Sequence, residues 1–152
     1  MIKHHKIIAS LLCLILAFPV LATADDLIMR RVSMNFPEEM NSLQTAISEA
    51  GFKVSRVQRV DIGLTSSGYN TAEYRIVFFM REHEMHEIIK QHPELIAFLP
   101  LKITIFAEGS ETIVVTLNPL KLDEFFPEME MQETFSRWST EVNAILDRIQ
   151  SE

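Results

Sequence analysis

Residues 101–117 read LKITIFAEGSETIVVTL. Two runs of strand character, 101–107 and 112–117, flank Glu108-Gly109-Ser110-Glu111, and Asn118-Pro119 stops the second run. A connection this short, with a glycine in it, joins adjacent antiparallel strands. Strands paired in this way, interleaved with helical patterns, indicate an α+β domain. A doubly wound nucleotide-binding fold needs strand and helix to alternate throughout, and this chain breaks that alternation.

The pattern extends outward on both sides of the hairpin. Residues 120–126 read as a short helix or turn. Met131, Phe135, Trp138, Val142, Ile145, Leu146 and Ile149 then recur at helical spacing over five turns, which predicts a long amphipathic helix. Upstream, 83–92 reads as a helix with Met85, Ile88, Ile89 and His92 on one side. In 71–80, Tyr74, Ile76, Phe78 and Met80 alternate with Glu73, Arg75, Val77 and Phe79. Both faces of that strand turn apolar toward its end, which places it centrally in the sheet. Residues 52–62 read as a strand whose imperfect alternation suggests a bulge, and 63–70 as a polar turn. Pro37 opens a helix with Glu38 and Glu39 in its first turn and a stripe of Met40, Leu43, Ile47 and Ala50, and Gly51 ends it. Residues 27–34 are the first strand. The expected order is β-α-β-β-α-β-β-α, a mostly antiparallel sheet with helices packed on one face.

The chain has 152 residues, 47% hydrophobic and 23% charged, which suits one globular domain. Fourteen Lys and Arg against 21 Asp and Glu give a net charge of −7. That balance argues against a nucleic-acid partner, because such binders displace phosphate counterions with basic surface. A single cysteine, Cys13, excludes an internal disulfide framework.

Residues 1–24 have the form of a cleaved secretory signal. Lys3 and Lys6 precede an apolar run over 7–21, and Ala22-Thr23-Ala24 presents small residues where a signal peptidase reads. About 20 apolar residues are needed to span a bilayer; this run is shorter and holds Pro19. Leu12 stands where a lipoprotein signal needs a small residue before Cys13, and apolar sequence continues beyond it. The expected product is residues 25–152, a single domain with no thiol and no membrane span. It is exported across the inner membrane, and is periplasmic in a Gram-negative source.

Signals for chemistry are sparse. No Gly-x-Ser-x-Gly elbow is present, and Gly63-Leu64-Thr65-Ser66-Ser67-Gly68 lacks the lysine of a phosphate-binding loop. His83 and His86 are one helical turn apart and form a weak copper or divalent-metal pair, the alternative reading. Helical geometry turns Met85 away from both, and Lys90 projects between them one turn on. Asp123, Glu124, Glu128, Glu130 and Glu133 run without a basic neighbour, as a solvated face, one turned to a basic partner, or one that binds divalent cations loosely. The favoured ligand or partner site is the connection from Asp61 to Tyr74, with Tyr69 as an aromatic contact and Arg75 as an anion fork. The plainer reading of that segment is a long hairpin connection with Tyr69 over the core edge and Arg75 paired to a carboxylate.

Several segments in order carry a family resemblance. They are Gly51-Phe52-Lys53-Val54, Val60-Asp61-Ile62-Gly63-Leu64, the stretch from Gly68-Tyr69-Asn70 to Phe78-Phe79, Pro93-Glu94, Ala97-Phe98-Leu99-Pro100-Leu101-Lys102-Ile103, and Asn118-Pro119. Together they resemble the family of unknown function DUF302. The resemblance implies a small α+β domain, leaves a homodimer open as the assembly, and supplies no reaction. Many members carry a cysteine near the end of the third strand followed by Asn-Pro, where this chain has Met80-Arg81-Glu82; others carry Leu-Pro-Cys where it has Leu99-Pro100-Leu101. A thiol-dependent role therefore does not transfer. The expected function is an exported, non-catalytic domain that binds a small ligand or a periplasmic protein. No cofactor is expected, a metal at His83 and His86 is the alternative, and an unrecognised hydrolase is third.

Overall fold

A computed structural model describes residues 26–150. The signal segment and its cleavage point therefore lie outside the described residues. Five strands form one antiparallel sheet: β1 (Leu27–Val32), β2 (Lys53–Arg59), β3 (Tyr74–Met80), β4 (Leu101–Glu108) and β5 (Glu111–Leu117), in the spatial order β1-β5-β4-β3-β2. The expected hairpin is β4–β5, closed at Glu108↔Glu111. Gly109 has φ +63°, the left-handed conformation that a two-residue hairpin turn asks for. β3 is interior, as its two apolar faces predicted, and the expected irregularity in the second strand is a register shift between Val54 and Arg56.

The helices are α1 (Phe36–Glu49), α2 (Val60–Ser66), α3 (Glu82–Gln91), α4 (Leu122–Phe125) and α5 (Gln132–Gln150), with short 3-10 turns at Pro93–Ala97 and Pro119–Lys121. Asn35 caps α1, its side chain accepting from the Glu38 amide at 3.2 Å. Gly51, at φ +78°, releases the chain toward β2. The long stripe predicted for α5 is all buried: Phe135, Trp138, Val142, Ile145, Leu146 and Ile149, with Met131 just before it. Asn118 ties the hairpin to this helix. Its Oδ1 accepts from the Leu120 amide at 3.1 Å and from Ser139 Oγ at 2.8 Å.

One sheet face carries the core. Ile28, Val77, Phe79, Ile103, Ile105 and Val114 meet Leu43 and Ile47 of α1 and the α5 stripe. The opposite face presents Leu27 and Met29, both about half-exposed, and Ile76, Phe78, Phe106, Val115 and Leu117, all partly exposed. No helix among the described residues is long and apolar enough to cross a membrane.

Several boundaries differ from the sequence reading. The first strand stops at Val32, the third begins at Tyr74, and the first helix begins one residue early at Phe36. The larger change is at residues 60–66, read as strand end and turn but folded as α2. Val60 and Ile62 are β-branched and Gly63 is a poor helix former, so local preference opposes a helix there. Tertiary contact overrides it, since Asp61 in the first turn of α2 pairs with Arg75 on β3. The Ser66 and Ser67 hydroxyls donate to the Ile62 and Gly63 carbonyls and close the turn.

Candidate functional site

The segment favoured from sequence gathers its residues unevenly. Asp61 and Arg75 meet as a close ion pair, their side chains 13% and 11% exposed. Arg75 Nη1 also donates to the Tyr74 carbonyl at 3.1 Å, and its guanidinium lies 5.4 Å from the centre of the Phe36 ring. Burial pushes the Asp61 carboxyl up. The Arg75 hydrogen bond, a bond from the Ile62 amide and the charges of Arg75 and Arg59 outweigh it and hold the group below the usual carboxylate range. Arg75 is thus engaged by a carboxylate of its own chain, the plainer of the two sequence readings. Tyr69 stands 64% exposed beyond this pair.

Two adjoining hollows lie beside them. One, of about 320 Å³, is lined by Asp61, Ile62, Thr65, Ser66, Thr71 and Glu73. The other, of about 340 Å³, shares Thr71 and Glu73 and continues over Ala72, Tyr74, Thr104, Phe106 and Ala107. Arg75 alternates with Tyr74 along β3, so Asp61 stands on the covered side and Tyr74, Thr104 and Phe106 on the open one, and the Ala107 amide donates to the Glu73 carbonyl at 3.0 Å and fixes the approach of the chain against β4. Tyr74, Thr104 and Phe106 project from the open sheet face, in register across β3–β4. The lining offers hydroxyls, two carboxylates and two aromatic rings. It holds no His, Cys or Lys. Neither Arg75 nor Tyr69 lines either hollow.

His83 and His86 are both exposed on α3, while Met85, Ile88 and Ile89 turn to the core. Among the described residues no three His, Cys, Asp or Glu side chains gather as a metal site would require.

The sequence reading missed a polar network at the start of α3. Arg81 donates to both Glu141 oxygens at 3.0 Å and to the Ala50 carbonyl at 3.0 Å, and its guanidinium lies 3.9 Å from the Phe52 ring centre. The Glu141 hydrogen bonds raise the Arg81 pKa against the cost of burial. Glu84 accepts from Trp138 Nε1 at 3.2 Å and pairs closely with Arg137. The local clues were Arg81–Glu84 at i,i+3 and Arg137–Glu141 at i,i+4, both charge pairs. The longer links join residues about thirty to sixty apart in sequence and left no periodic trace.

The class defined by this geometry is a small α+β domain, with an antiparallel sheet covered on one face and hollowed at one end of the other. The sequence matches the family described as "Domain of unknown function DUF302" over residues 28–151, and the chain belongs to that family. The fold is similar to the crystal structure of the uncharacterized conserved protein DUF302 from Bacillus stearothermophilus, with a TM-score of 0.75 at 20% identity over 83% of this chain and 99% of that one. No curated protein matches the sequence.

Proposed function

We propose that this chain is an exported, non-catalytic binding domain that takes a small hydroxyl-bearing ligand in the hollows that share Thr71 and Glu73 beside the start of β3. The carrying observation is their shared lining. Thr71, Glu73 and Thr104 offer polar contacts beside the rings of Tyr74 and Phe106 in one hollow, and Thr65 and Ser66 join Thr71 and Glu73 in the other. Sugar-like ligands have the matching character, with polar edges and an apolar face that rests on an aromatic ring. The Ser66 and Thr71 hydroxyls already donate to the Ile62 and Ala72 carbonyls, so they meet a ligand as acceptors. Asp61, held ionised by Arg75, accepts as well.

Protein-observed NMR titration with a panel of mono- and disaccharides tests this. Shifts are expected at Thr71, Glu73, Tyr74, Thr104 and Phe106. Glu73→Gln weakens binding about fivefold, the equivalent of one hydrogen bond at about 1 kcal/mol. Shifts confined to other surfaces, or none at millimolar ligand, overturn the reading. Export rests on residues 1–24, and N-terminal sequencing of the mature protein is expected to begin at Asp25. Full-length chain retained in the membrane would contradict it.

A further inference from the structure

A larger hollow, of about 680 Å³, lies far along the chain from the paired hollows, between residues 91–94 and residues 125–130. Its wall is aromatic. Phe125 is 60% exposed yet not loose: its ring centre lies 5.4 Å from that of Phe98, which meets Phe126 edge-on at 5.6 Å. Leu95, Leu122 and Met129 are buried in the core around this stack. An apolar ring held open to solvent in a fixed stack is a surface prepared for contact.

The rim specifies what fits. Glu94 stands on one side and Glu128 and Glu130 on the other, all exposed, and the lining holds no Lys or Arg. His92 faces Glu94 at 3.9 Å. Lys121, on the neighbouring turn, is already engaged by Asp26 at 2.9 Å and Glu124 at 2.8 Å. Rim carboxylates repel an anion, and a purely apolar ligand leaves them without a role. A bare divalent ion would ignore the rings and finds no gathered carboxylates. An ammonium or guanidinium on a methylene stem uses both features, the stem lying on the ring and the head reaching a carboxylate. Acids on both walls call for more than one such group along the groove.

We propose that this aromatic groove docks a short segment of a partner protein in which Lys or Arg alternates with large apolar side chains. The basic stems cover Phe125 and their heads reach Glu94, Glu128 and Glu130. The chain's net charge of −7 favours the encounter at long range.

The test is fluorescence anisotropy with a labelled hexapeptide of alternating lysine and leucine. Micromolar binding at low salt is expected. Phe125→Ala weakens it about fivefold, and the double variant Glu128→Gln with Glu130→Gln weakens it similarly and flattens its salt dependence. Phe125, Glu128 and Glu130 are all exposed, so the variants keep the wild-type melting temperature. If Phe125→Ala nevertheless lowers it, the double variant alone decides. Three results overturn the proposal: no binding at low salt, binding unchanged in the double variant, or full competition by spermidine at equal concentration, which would mean that ammonium groups on methylene stems suffice without a peptide's apolar side chains. The saccharide titration reads a separate set of residues, so either proposal fails without the other.

Discussion

On the covered face of the sheet, Val77, Phe79, Ile103, Ile105 and Val114 are fully shielded from solvent, whereas on the other face Leu27 keeps 52% and Met29 51% of their surface. Strand alternation sends neighbouring residues to these two fates, since period two assigns every second side chain to each face. The amino-acid types differ less than the outcome. Apolar residues stand on both faces, and only one has helices to meet them. Apolar alternation therefore identifies a strand's faces, while what covers each face is decided by α1 and α5, elements distant in sequence. The hollow lined by Tyr74, Thr104 and Phe106 lies at the end of the open face.

The strongest way to break this comparison is to damage the covered side. Trp138 is fully buried against Phe135, their ring centres 5.9 Å apart, and its indole N–H is bonded to Glu84. Trp138→Ala is expected to cost about 3–5 kcal/mol, from lost burial and the cavity left behind. Urea unfolding measures it, and a loss below about 1 kcal/mol would show that α5 does not hold the core.

A smaller loss is expected at the rim of the covered side. Glu141→Ala removes the bidentate partner of Arg81, whose side chain is 29% exposed. Hydrogen bonds to charged groups contribute about 1.5–3 kcal/mol, and a loss in that range is expected by the same measurement. Arg81→Lys should recover only part of the network, because a point charge cannot reproduce the fork that spans both Glu141 oxygens.

Much of the covered side was legible in the sequence, and the reasons are local. The α5 stripe repeats over five turns with one aromatic anchor per early turn, a pattern no strand accommodates. The β4–β5 hairpin announces itself through Gly109, and Gly51 marks the end of α1. Glu39 shows where charge hides geometry. It was assigned to the helix dipole, yet it is fully buried on the stripe that continues through Leu43 and Ile47 at intervals of four. The α2 helix was illegible because its cause, the Asp61–Arg75 pair, joins segments whose approach depends on the sheet. The site suffered similarly. Asp61 and Tyr74 line the hollows and Tyr69 and Arg75 do not, and Thr104 and Phe106 come from a strand that sequence spacing could not connect to them.

Acid probes the boundary between the two faces. Asp61 is depressed below its ordinary value, so its ionised form is favoured in the folded chain relative to the unfolded one. Its contribution to stability is complete above the ordinary carboxylate value of 3.8 and is lost as pH falls through the lower folded value. Asp61→Asn should lower stability at neutral pH and remove that part of the acid limb, leaving a shallower decline below pH 3.8. Stability curves of both proteins between neutral pH and pH 2 check it, and parallel acid limbs would refute the assignment.

The smallest effect is expected on the open face, where it sharpens the comparison most. Met29 lies on the edge strand β1 opposite Val115 with half its surface in solvent, so replacing it removes little burial. Met29→Lys is expected to change stability by less than about 0.5 kcal/mol, as surface substitutions do, and to make a good edge residue by discouraging pairing with another chain. The paired control is Ile103→Ala on the covered face, where a fully shielded side chain is expected to cost about 2–5 kcal/mol. Both are read by urea unfolding, with sedimentation velocity on the same samples. A loss above about 1.5 kcal/mol in Met29→Lys, together with a fall in sedimentation coefficient, would mean that a second copy covers this face in solution. The same loss with an unchanged coefficient would mean that the chain outside residues 26–150 lies across it. Either result would remove the asymmetry between the faces, and with it the reason for placing the ligand hollow at the end of the open one.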